Sequence, residues 1–334
     1  MALLRSGKSK LLSLILISLL CLILAAVVVY FAVIVPNRNY ELACTLKEQA
    51  KYDQAQDVFE ALGNYKDSAA QAEACRLAIL DIAYDNALAL VESGHLLDGH
   101  AALLALNGYK DSAEKADALY SKWNAKMQAL QSVAVGDTVL FGVYEQDNDL
   151  TNGKEDIEWL VLDILDGKAL VISKHALDCK PFYWTYLPVS WETSTLRTWL
   201  NEDFIEAAFC VEENAMIPEV DVAVGENPTY GTKAGNATRD RVYLLSIEEA
   251  SRYFASESQR KCEPTAYATA KGAYTSTESG LCCWWWLRSP GFLQFRTALV
   301  LNDGVVYEHG DFAAYGTGTV RPVMWIDLNS IDLP

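Results

Sequence analysis

The chain has 334 residues, of which 51% are hydrophobic and 21% charged, and its formal net charge is −17. This length is sufficient for two folded domains, and the composition excludes a disordered or fibrous protein. The acidity excludes broad contact with nucleic acid or anionic lipid, because both need clustered Lys and Arg.

The N-terminus has the composition of a membrane anchor. Residues 1–10 are basic, with Arg5, Lys8 and Lys10, and residues 11–35 carry no charge. As a helix this uncharged stretch would extend roughly 37 Å, which exceeds the ~30 Å hydrocarbon thickness of a bilayer. A cleaved signal peptide has a shorter apolar region. We therefore expect an uncleaved transmembrane helix, with the N-terminus in the cytoplasm and the remainder exported, since basic residues stay on the cytoplasmic side.

The cysteine pattern argues against a structural zinc site. Of the eight cysteines, Cys21 lies in the predicted anchor, which leaves seven outside it and no C-x-x-C spacing. An odd number without paired spacing favours buried free thiols over a dense disulfide framework, although individual disulfides stay open.

An internal duplication follows the anchor. The sequences Asn64–Ser68 and Gly108–Ser112, which share Tyr-Lys-Asp-Ser, set a period of 44 residues, and apolar positions recur at helical spacing around them. These units resemble tetratricopeptide-like repeats. The resemblance predicts two helical repeats over residues 40–127, followed by a linker at 128–134. Because two repeats are few for a peptide-binding groove, a spacer is the favoured role.

From residue 135 the pattern becomes that of strands. Val139–Tyr144 and Ile157–Asp163 flank an acidic loop, D-N-D-L-T-N-G-K-E-D. A helix–loop–helix calcium site needs Gly at its sixth position, which is Asn152 when counted from Asp147. The sequence therefore predicts a solvated hairpin loop.

Short helices and a second hairpin follow. Ser194 and Ser246 have the spacing of helix N-caps. Two short strands, 297–301 and 305–308, are joined through Asn-Asp-Gly, a combination typical of tight turns. Pro322 lies within the last predicted strand, 320–326, which should therefore be an edge strand or carry a bulge.

Four motifs in order carry a resemblance to a known family: W-E-T-S-T-L-R-T-W-L-N, Y-L-L-S-I-E-E-A, W-W-L-R-S-P-G and V-R-P. Residues 135–330 resemble a bacterial domain family of unknown function whose members are often attached to membrane anchors or helical repeats. The resemblance implies an α+β C-type-lectin-like fold, more distantly similar to formylglycine-generating enzymes, and no established activity.

We tested the enzyme and calcium implications against the residues. Formylglycine-generating enzymes use two separated reactive cysteines, whereas Cys282 and Cys283 are adjacent, and the sequence contains neither H-E-x-x-H nor G-x-S-x-G. We therefore expect a protein that is not an enzyme. The lectin calcium motifs are matched only in part, by Glu263-Pro264-Thr265 and Asn302-Asp303. We predict no cofactor and no metal ligands, with calcium left open.

The triple tryptophan motif is interpreted as structural. Alternate residues of a strand point to opposite faces, so at least one face of Trp284–Trp286 must be core. The residues assigned to this structural motif are Trp284, Trp285, Trp286, Arg288 and Arg321. A ligand face is predicted in the aromatic and polar loops that follow. Its residues are Phe292, Gln294, Phe295, Arg296, Tyr307, His309, Asp311, Phe312 and Tyr315.

Taken together, these features predict a single-pass protein of a bacterial cell membrane. It would present a C-type-lectin-like domain outside the cell, on a helical stalk, to bind a surface glycan, peptide or protein. Two alternatives remain: an oxidase of the formylglycine-generating type, and an envelope scaffold acting through the repeats.

Overall fold

The structure, a computed structural model, describes residues 2–276 and 280–329, with side chains described from residue 12 onward. The chain divides into two compact units. The first comprises the residues up to Ala89 together with Ala102–Ala113, and the second comprises Leu90–Ala101 and the residues from Glu114.

The first unit begins with a long apolar helix. Helix α1 (Ala2–Val29) continues through a π-helical turn (Tyr30–Ile34) into α2 (Val35–Glu48). Within the described residues this is the one helix long and apolar enough to cross a membrane. The predicted span, 11–35, lies inside it.

Four further helices form the helical region: α3 (Tyr52–Leu62), α4 (Ser68–Glu92), α5 (Leu96–Ala105) and α6 (Ser112–Gln131). The apolar face of α3 turns inward against α2. Ala43, Ala55 and Phe59 are fully buried, and Tyr40 packs against them. The 3.6-residue spacing that predicted helices therefore also builds this core.

The sequence repeat is also a repeat of contacts. The hydroxyl of Tyr40 donates to Asp67, and 44 residues later the hydroxyl of Tyr84 donates to Asp111. Lys66 lies over the Tyr40 ring at 4.4 Å, and its counterpart Lys110 lies over the Tyr84 ring at 4.6 Å. Both lysines adopt a left-handed backbone conformation. The two Tyr-Lys-Asp-Ser turns are therefore bonded to α2 and to α4, in each case the helix before the one that leads into the turn.

Helix α6 continues beyond the predicted end of the repeats. It ends at Gln131, so the segment 128–134 assigned to a linker begins inside the helix. Trp123, Met127 and Leu130 are buried in the core of the second unit. The last turns of α6 therefore act as part of that unit's packing.

Two five-stranded sheets dominate the second unit. The strands of the first are β1 (Thr138–Tyr144), β2 (Glu155–Leu165), β3 (Lys168–Ser173), β7 (Val242–Tyr243) and β14 (Val323–Asp327). Those of the second are β4 (Asp178–Cys179), β10 (Trp285–Pro290), β11 (Arg296–Val300), β12 (Val306–Phe312) and β13 (Thr319–Val320). The first sheet has the order β1-β2-β3-β14-β7 and is antiparallel throughout, and the second has the order β12-β11-β10-β13-β4.

Short helices and two small ribbons fill the connections. The ribbons pair β5 (Val220–Val222) with β6 (Thr238–Asp240) and β8 (Thr275–Ser276) with β9 (Cys282–Cys283). The helices are α7 (Thr195–Trp199), continued by a π-helical turn (Leu200–Phe204), α8 (Ile205–Ala208), α9 (Val211–Ala215), α10 (Ile247–Tyr253), α11 (Glu257–Arg260) and α12 (Ala266–Ala270). As predicted, the side chains of Ser194 and Ser246 cap α7 and α10.

The triple tryptophan motif lies at the centre of the second sheet. Trp285, Trp286 and Leu287 are fully buried, and Trp284 packs edge-on against Trp286 with ring centroids 4.7 Å apart. Because neighbouring residues of a strand point to opposite faces, both faces of β10 are covered. The indole nitrogens of Trp285 and Trp286 donate to backbone carbonyls, so neither polar group is left unpaired.

Two buried arginines tie the strands to their surroundings. Arg288 forms a two-point ion pair with Glu249 of α10 and donates to the carbonyls of Leu244 and Ala223. Arg321 donates from Nε to the carbonyl of Ser173, 2.7 Å away. Guanidinium groups suit these positions because they offer five donors in a fixed plane.

The strand predicted around Pro322 is divided in the structure. Thr319–Val320 belongs to the second sheet and Val323–Asp327 to the first, so the chain changes sheets at Arg321-Pro322. The expectation of an edge strand is wrong, because β14 lies between β3 and β7. Proline is accommodated at the break, where its missing N–H removes no ladder hydrogen bond.

Candidate functional site

The nine predicted ligand-face residues lie along the β11–β12 hairpin and the loops beside it. None of the nine is fully buried. The hairpin occupies an edge of the second sheet, since β12 pairs only with β11 in the described strand order. Sequence proximity and strand pairing thus bring these residues to one region of the surface.

A bulge in β12 determines how they are presented. Thr297 pairs with Asp311, and Leu299 pairs with Tyr307, so β12 advances four residues while β11 advances two. Gly310, at φ +68°, occupies the bulge, and a Cβ there would lie 2.4 Å from the carbonyl oxygen of Thr297. A side chain does not fit at this position, which explains glycine between two candidate ligand residues.

One group of rings, the histidine cluster, consists of Tyr230, Phe292, Tyr307 and His309. Phe292 and His309 stack with centroids 5.1 Å apart and planes at 14°. Tyr230 meets both rings edge-on, at 5.0 and 5.8 Å. Phe292 remains 43% exposed. The cluster therefore offers aromatic surface to solvent while its rings hold one another in place.

A second group, the arginine cluster, consists of Tyr186, Phe295, Arg296, Phe312 and Tyr315. Phe295 and Phe312 stack with centroids 5.7 Å apart, and the guanidinium of Arg296 lies 4.4 Å from the Phe312 ring centre. Tyr186 and Tyr315 contact Phe312 edge-on. A cation held on an aromatic face is both oriented and partly desolvated.

Arg296 links the two clusters. Its Nη1 donates to the carbonyl oxygen of Gly310 at 2.8 Å and lies 3.4 Å from Nδ1 of His309. It also lies 3.7 Å from the carboxylate of Asp311. The positive charge is therefore only partly neutralised by its neighbours, and the region combines aromatic faces with one acid and one base.

The loop that carries Tyr230 is fixed by hydrogen bonds. Asn227 is buried and donates from Nδ2 to the carbonyls of Pro290 and Glu308, each at 2.8 Å. Thr232 donates to the carbonyl of Phe292 at 3.0 Å. Tyr230 is therefore held against the hairpin by its neighbours' polar groups.

The side chain of Gln294 connects neighbouring loops. Its side-chain amide donates to the carbonyls of Val189 and Lys233, each at 3.1 Å. These bonds join the loop after β10 to two other connections, so its amide nitrogen is engaged in holding the loops together.

Sequence reasoning missed several exposed aromatic residues in the adjoining segments. Trp184 is 69% exposed, and Tyr186 and Tyr230 are exposed as well, as is the apolar Leu187 beside them. The signal was the run Y-W-T-Y-L at 183–187, in which aromatic residues crowd into a stretch without helical or strand periodicity. Such a run is typical of a recognition loop.

The partial calcium motifs serve local structure. The Thr265 side chain caps α12 by accepting the N–H of Ala268 at 3.0 Å. Asp303 accepts the N–H of Val305 within the hairpin turn, also at 3.0 Å. Both residues are therefore explained by the turns in which they lie.

Four cysteines of the second unit, Cys179, Cys262, Cys282 and Cys283, are buried. The backbone of Cys283 forms an antiparallel β-bridge with Cys262. A hydrogen bond with Cys262, together with burial, raises the pKa of the Cys283 thiol. A protonated, buried thiol is a poor nucleophile.

A cavity of about 500 Å³ also lies within the second unit. Apolar groups such as Leu96 and Phe209 line it together with several charged groups. Lys126 lies 2.6 Å from Glu213, and Lys122 lies 3.4 Å from Asp156. Four of the charged groups that line the cavity are therefore paired with one another.

Comparison with known proteins gives one match. Residues 166–328 match a family model described as Domain of unknown function (DUF6273). This range includes both clusters and both buried arginines. No curated protein matches the chain. No solved structure matches it.

Proposed function

We propose that the chain is a membrane-anchored binding protein that contacts an extracytoplasmic glycan, peptide or protein through the histidine and arginine clusters. The observation that carries this proposal is the set of partly exposed, mutually stacked rings around Arg296. Binding surfaces are enriched in Tyr, Trp and Arg because these side chains give large contact areas at a small loss of conformational entropy.

Pre-organisation supports the assignment. Phe292, Phe312 and Arg296 each contact a further aromatic or charged partner, and buried Asn227 fixes the adjoining loop. A ligand that lands on such a surface orders few additional side chains, so less of the contact energy is lost to entropy. The arrangement suits recognition better than chemistry.

The N-terminal helix supports the proposed location. Its length and apolar composition fit a membrane span, and the basic residues before it favour an N-terminus in the cytoplasm. On this proposal the repeats, which resemble tetratricopeptide-like units, and the C-type-lectin-like domain are outside the cell, with the helical region as a spacer.

Burial of the thiols disfavours the alternative of a formylglycine-generating oxidase. Such an enzyme needs reactive thiols that reach a peptide substrate, whereas Cys262, Cys282 and Cys283 are each at most 7% exposed. We expect the Cys282→Ser and Cys283→Ser variants to bind ligand as the parent protein does. We also expect that neither the variants nor the parent protein turns over cysteine-containing peptides. These two results would support a protein that is not an enzyme.

The proposal is tested by a binding screen. Full-length protein in detergent micelles is applied to arrays of glycans and to peptide and cell-surface extracts, beside a Phe292→Ala/His309→Ala variant. A ligand retained by the parent protein and lost by the variant is the expected result. Ligands bound equally by both proteins would show that the clusters are not the binding surface.

The location has its own test. Protease added to intact cells should remove the domain from residue 135 onward while a cytoplasmic marker stays intact. Protection of the domain until the cells are lysed would contradict the exported orientation.

A further inference from the structure

The loop between β1 and β2 holds a group of three carboxylates. Glu145 follows β1, Asp147 lies in the loop, and Glu155 opens β2. One carboxylate oxygen from each residue lies within 4.8 Å of the others. The two ends of a hairpin therefore bring together three groups that repel one another when ionised.

Glu145 is the unusual member of this group. Glu145 is only 7% exposed, and no hydrogen-bond donor contacts its Oε1. A buried carboxylate oxygen without a donor is costly, because it loses its water without replacement. One oxygen of this carboxylate lies within 4.8 Å of an oxygen of Asp147 and of Glu155, so a cation between the three residues would also reach Glu145.

Asp147 and Glu155 are already held in place by the loop. Asp147 accepts the N–H of Asp149 at 2.7 Å and the side-chain amide of Asn152 at 2.8 Å. Glu155 accepts the N–H of Gln146 at 2.7 Å. These bonds fix the positions of the two carboxylates without neutralising their charge.

In the described part of the chain, no ion pair includes any of the three acids. Their negative charge is therefore not neutralised by a basic side chain. Lys154, the neighbour of Glu155, donates to the carbonyl of Ala207 at 2.6 Å instead.

We propose that Glu145, Asp147 and Glu155 bind a calcium ion that joins the two ends of the β1–β2 loop. Calcium accepts six to eight oxygen ligands in flexible geometry, whereas magnesium requires a near-ideal octahedron and retains several waters. Three carboxylates from an irregular loop match the first requirement better than the second. The site is independent of the binding function proposed above.

This site differs from the helix–loop–helix pattern that the sequence failed to match. In that pattern the ligands run through one loop from its first position and need a glycine at the sixth. Here the buried ligand, Glu145, precedes Asp147 by two residues, and Glu155 comes from the opposite strand. The count from Asp147 therefore does not decide whether this hairpin binds calcium.

The test is isothermal titration of calcium chloride into chelator-treated, full-length protein in detergent. We expect one ion per chain, and a dissociation constant at least tenfold higher in Glu145→Gln, which keeps the shape and removes the charge. Glu248→Gln, an exposed acid on α10, is the matched control and should bind as the parent does. Magnesium should bind much more weakly.

A second measurement guards against misfolding of the variant. Calcium should slow tryptic cleavage after exposed Lys154 in the parent protein, and Asp147→Asn should abolish that protection while leaving the circular dichroism spectrum unchanged. Absence of calcium binding at millimolar concentration, or equal binding by Glu145→Gln and the parent, would overturn the proposal. Equal affinity for magnesium would overturn the assignment to calcium.

Discussion

Phe292 and His309 lie face to face at the edge of the second sheet, with ring centroids 5.1 Å apart and planes at 14°. One ring comes from the loop after β10 and the other from β12, so the stack joins two segments of the surface. Tyr230, from a third segment, meets both. The stack is therefore the structural centre of the histidine cluster.

Replacing both stacked residues should separate binding from stability. We expect Phe292→Ala/His309→Ala to weaken binding of the screened ligand at least tenfold, since hot-spot aromatic residues carry most of a binding energy. The free energy of unfolding should fall by only about 1 kcal/mol, the contribution of one aromatic pair. Titration and denaturant unfolding give the two quantities.

Tyr274→Ala is the control for this experiment, because Tyr274 is an exposed aromatic residue outside both clusters. It should leave binding unchanged. A loss of binding as large as that of the double variant would indicate a different contact surface.

The buried ion pair between Arg288 and Glu249 should dominate the stability of the second unit. Arg288→Met leaves Glu249 without its partner, and we expect a loss of about 3 kcal/mol or more in the free energy of unfolding. Glu249→Gln should also be costly, because the Arg288 side chain that it leaves without a counter-charge is only 4% exposed, against 28% for Glu249. Denaturant unfolding followed by tryptophan fluorescence measures both.

The double variant Arg288→Met/Glu249→Gln completes the cycle. Its loss should be smaller than the sum of the two single losses, since neither partner is left alone. Strictly additive losses would argue that the two side chains do not interact in solution.

Gly304 is expected to be irreplaceable for steric reasons. At φ +92° a Cβ would lie 1.8 Å from the carbonyl oxygen of Glu257, so Gly304→Ala must displace α11 or the hairpin turn. We expect a loss of about 3 kcal/mol or more, in the range of other strained or overpacked sites. Thermal unfolding provides the measurement.

Gly272 supplies the matched comparison, because it also has a positive φ, +109°, but a Cβ at this residue would have no atom within 4 Å. Gly272→Ala should therefore cost only about 1–2 kcal/mol, the penalty of an unfavourable backbone conformation. Equal losses at the two positions would show that the contact with Glu257 relaxes freely.

Cys179 should react slowly with alkylating reagents until the solution is strongly alkaline. Burial, and next the charge of Asp178, raises its pKa from 9.0 to about 11. The folded state therefore favours the neutral thiol, and this contribution to stability is complete below pH 9 and is lost as the pH rises toward 11. Mass spectrometry of alkylated peptides across this range should show labelling that rises near pH 11.

The urea-unfolded chain provides the reference, in which Cys179 should label readily by about pH 9, near the ordinary pKa of a thiol. Equal labelling rates for folded and unfolded chains at about pH 8 would contradict a buried, protonated thiol.

The parts of the fold that depend on local chemistry could be predicted from the sequence. Ser194 and Ser246 marked helix starts because a cap needs only its own next three residues, and Asp303-Gly304 marked the β11–β12 turn because the turn needs a positive φ. The 44-residue duplication aligned Tyr40 with Tyr84 and Asp67 with Asp111. Each of these signals is contained in a few neighbouring residues.

Features that depend on distant pairing were missed. Pro322 suggested an edge strand because the sequence does not reveal that the chain changes sheets there. Cys283 was compared with adjacent Cys282, whereas its backbone partner is Cys262. Tyr230 joins the histidine cluster from about sixty residues upstream of Phe292. Such contacts are set by sheet order, which periodicity alone does not encode.

The helix that begins at Ala2 passes through a π-helical turn into α2 without an intervening loop, and Pro36 stands in the first turn of α2. Proline there removes no hydrogen bond that a helix start would make. Within the described residues, therefore, no flexible loop separates the apolar segment from the first repeat. If this helix spans a bilayer, rotation of the apolar segment about its own axis would turn Tyr40, and the turn bonded to it through Asp67, by the same angle. The continuous helix would then set both the orientation of the first repeat and its distance from the membrane.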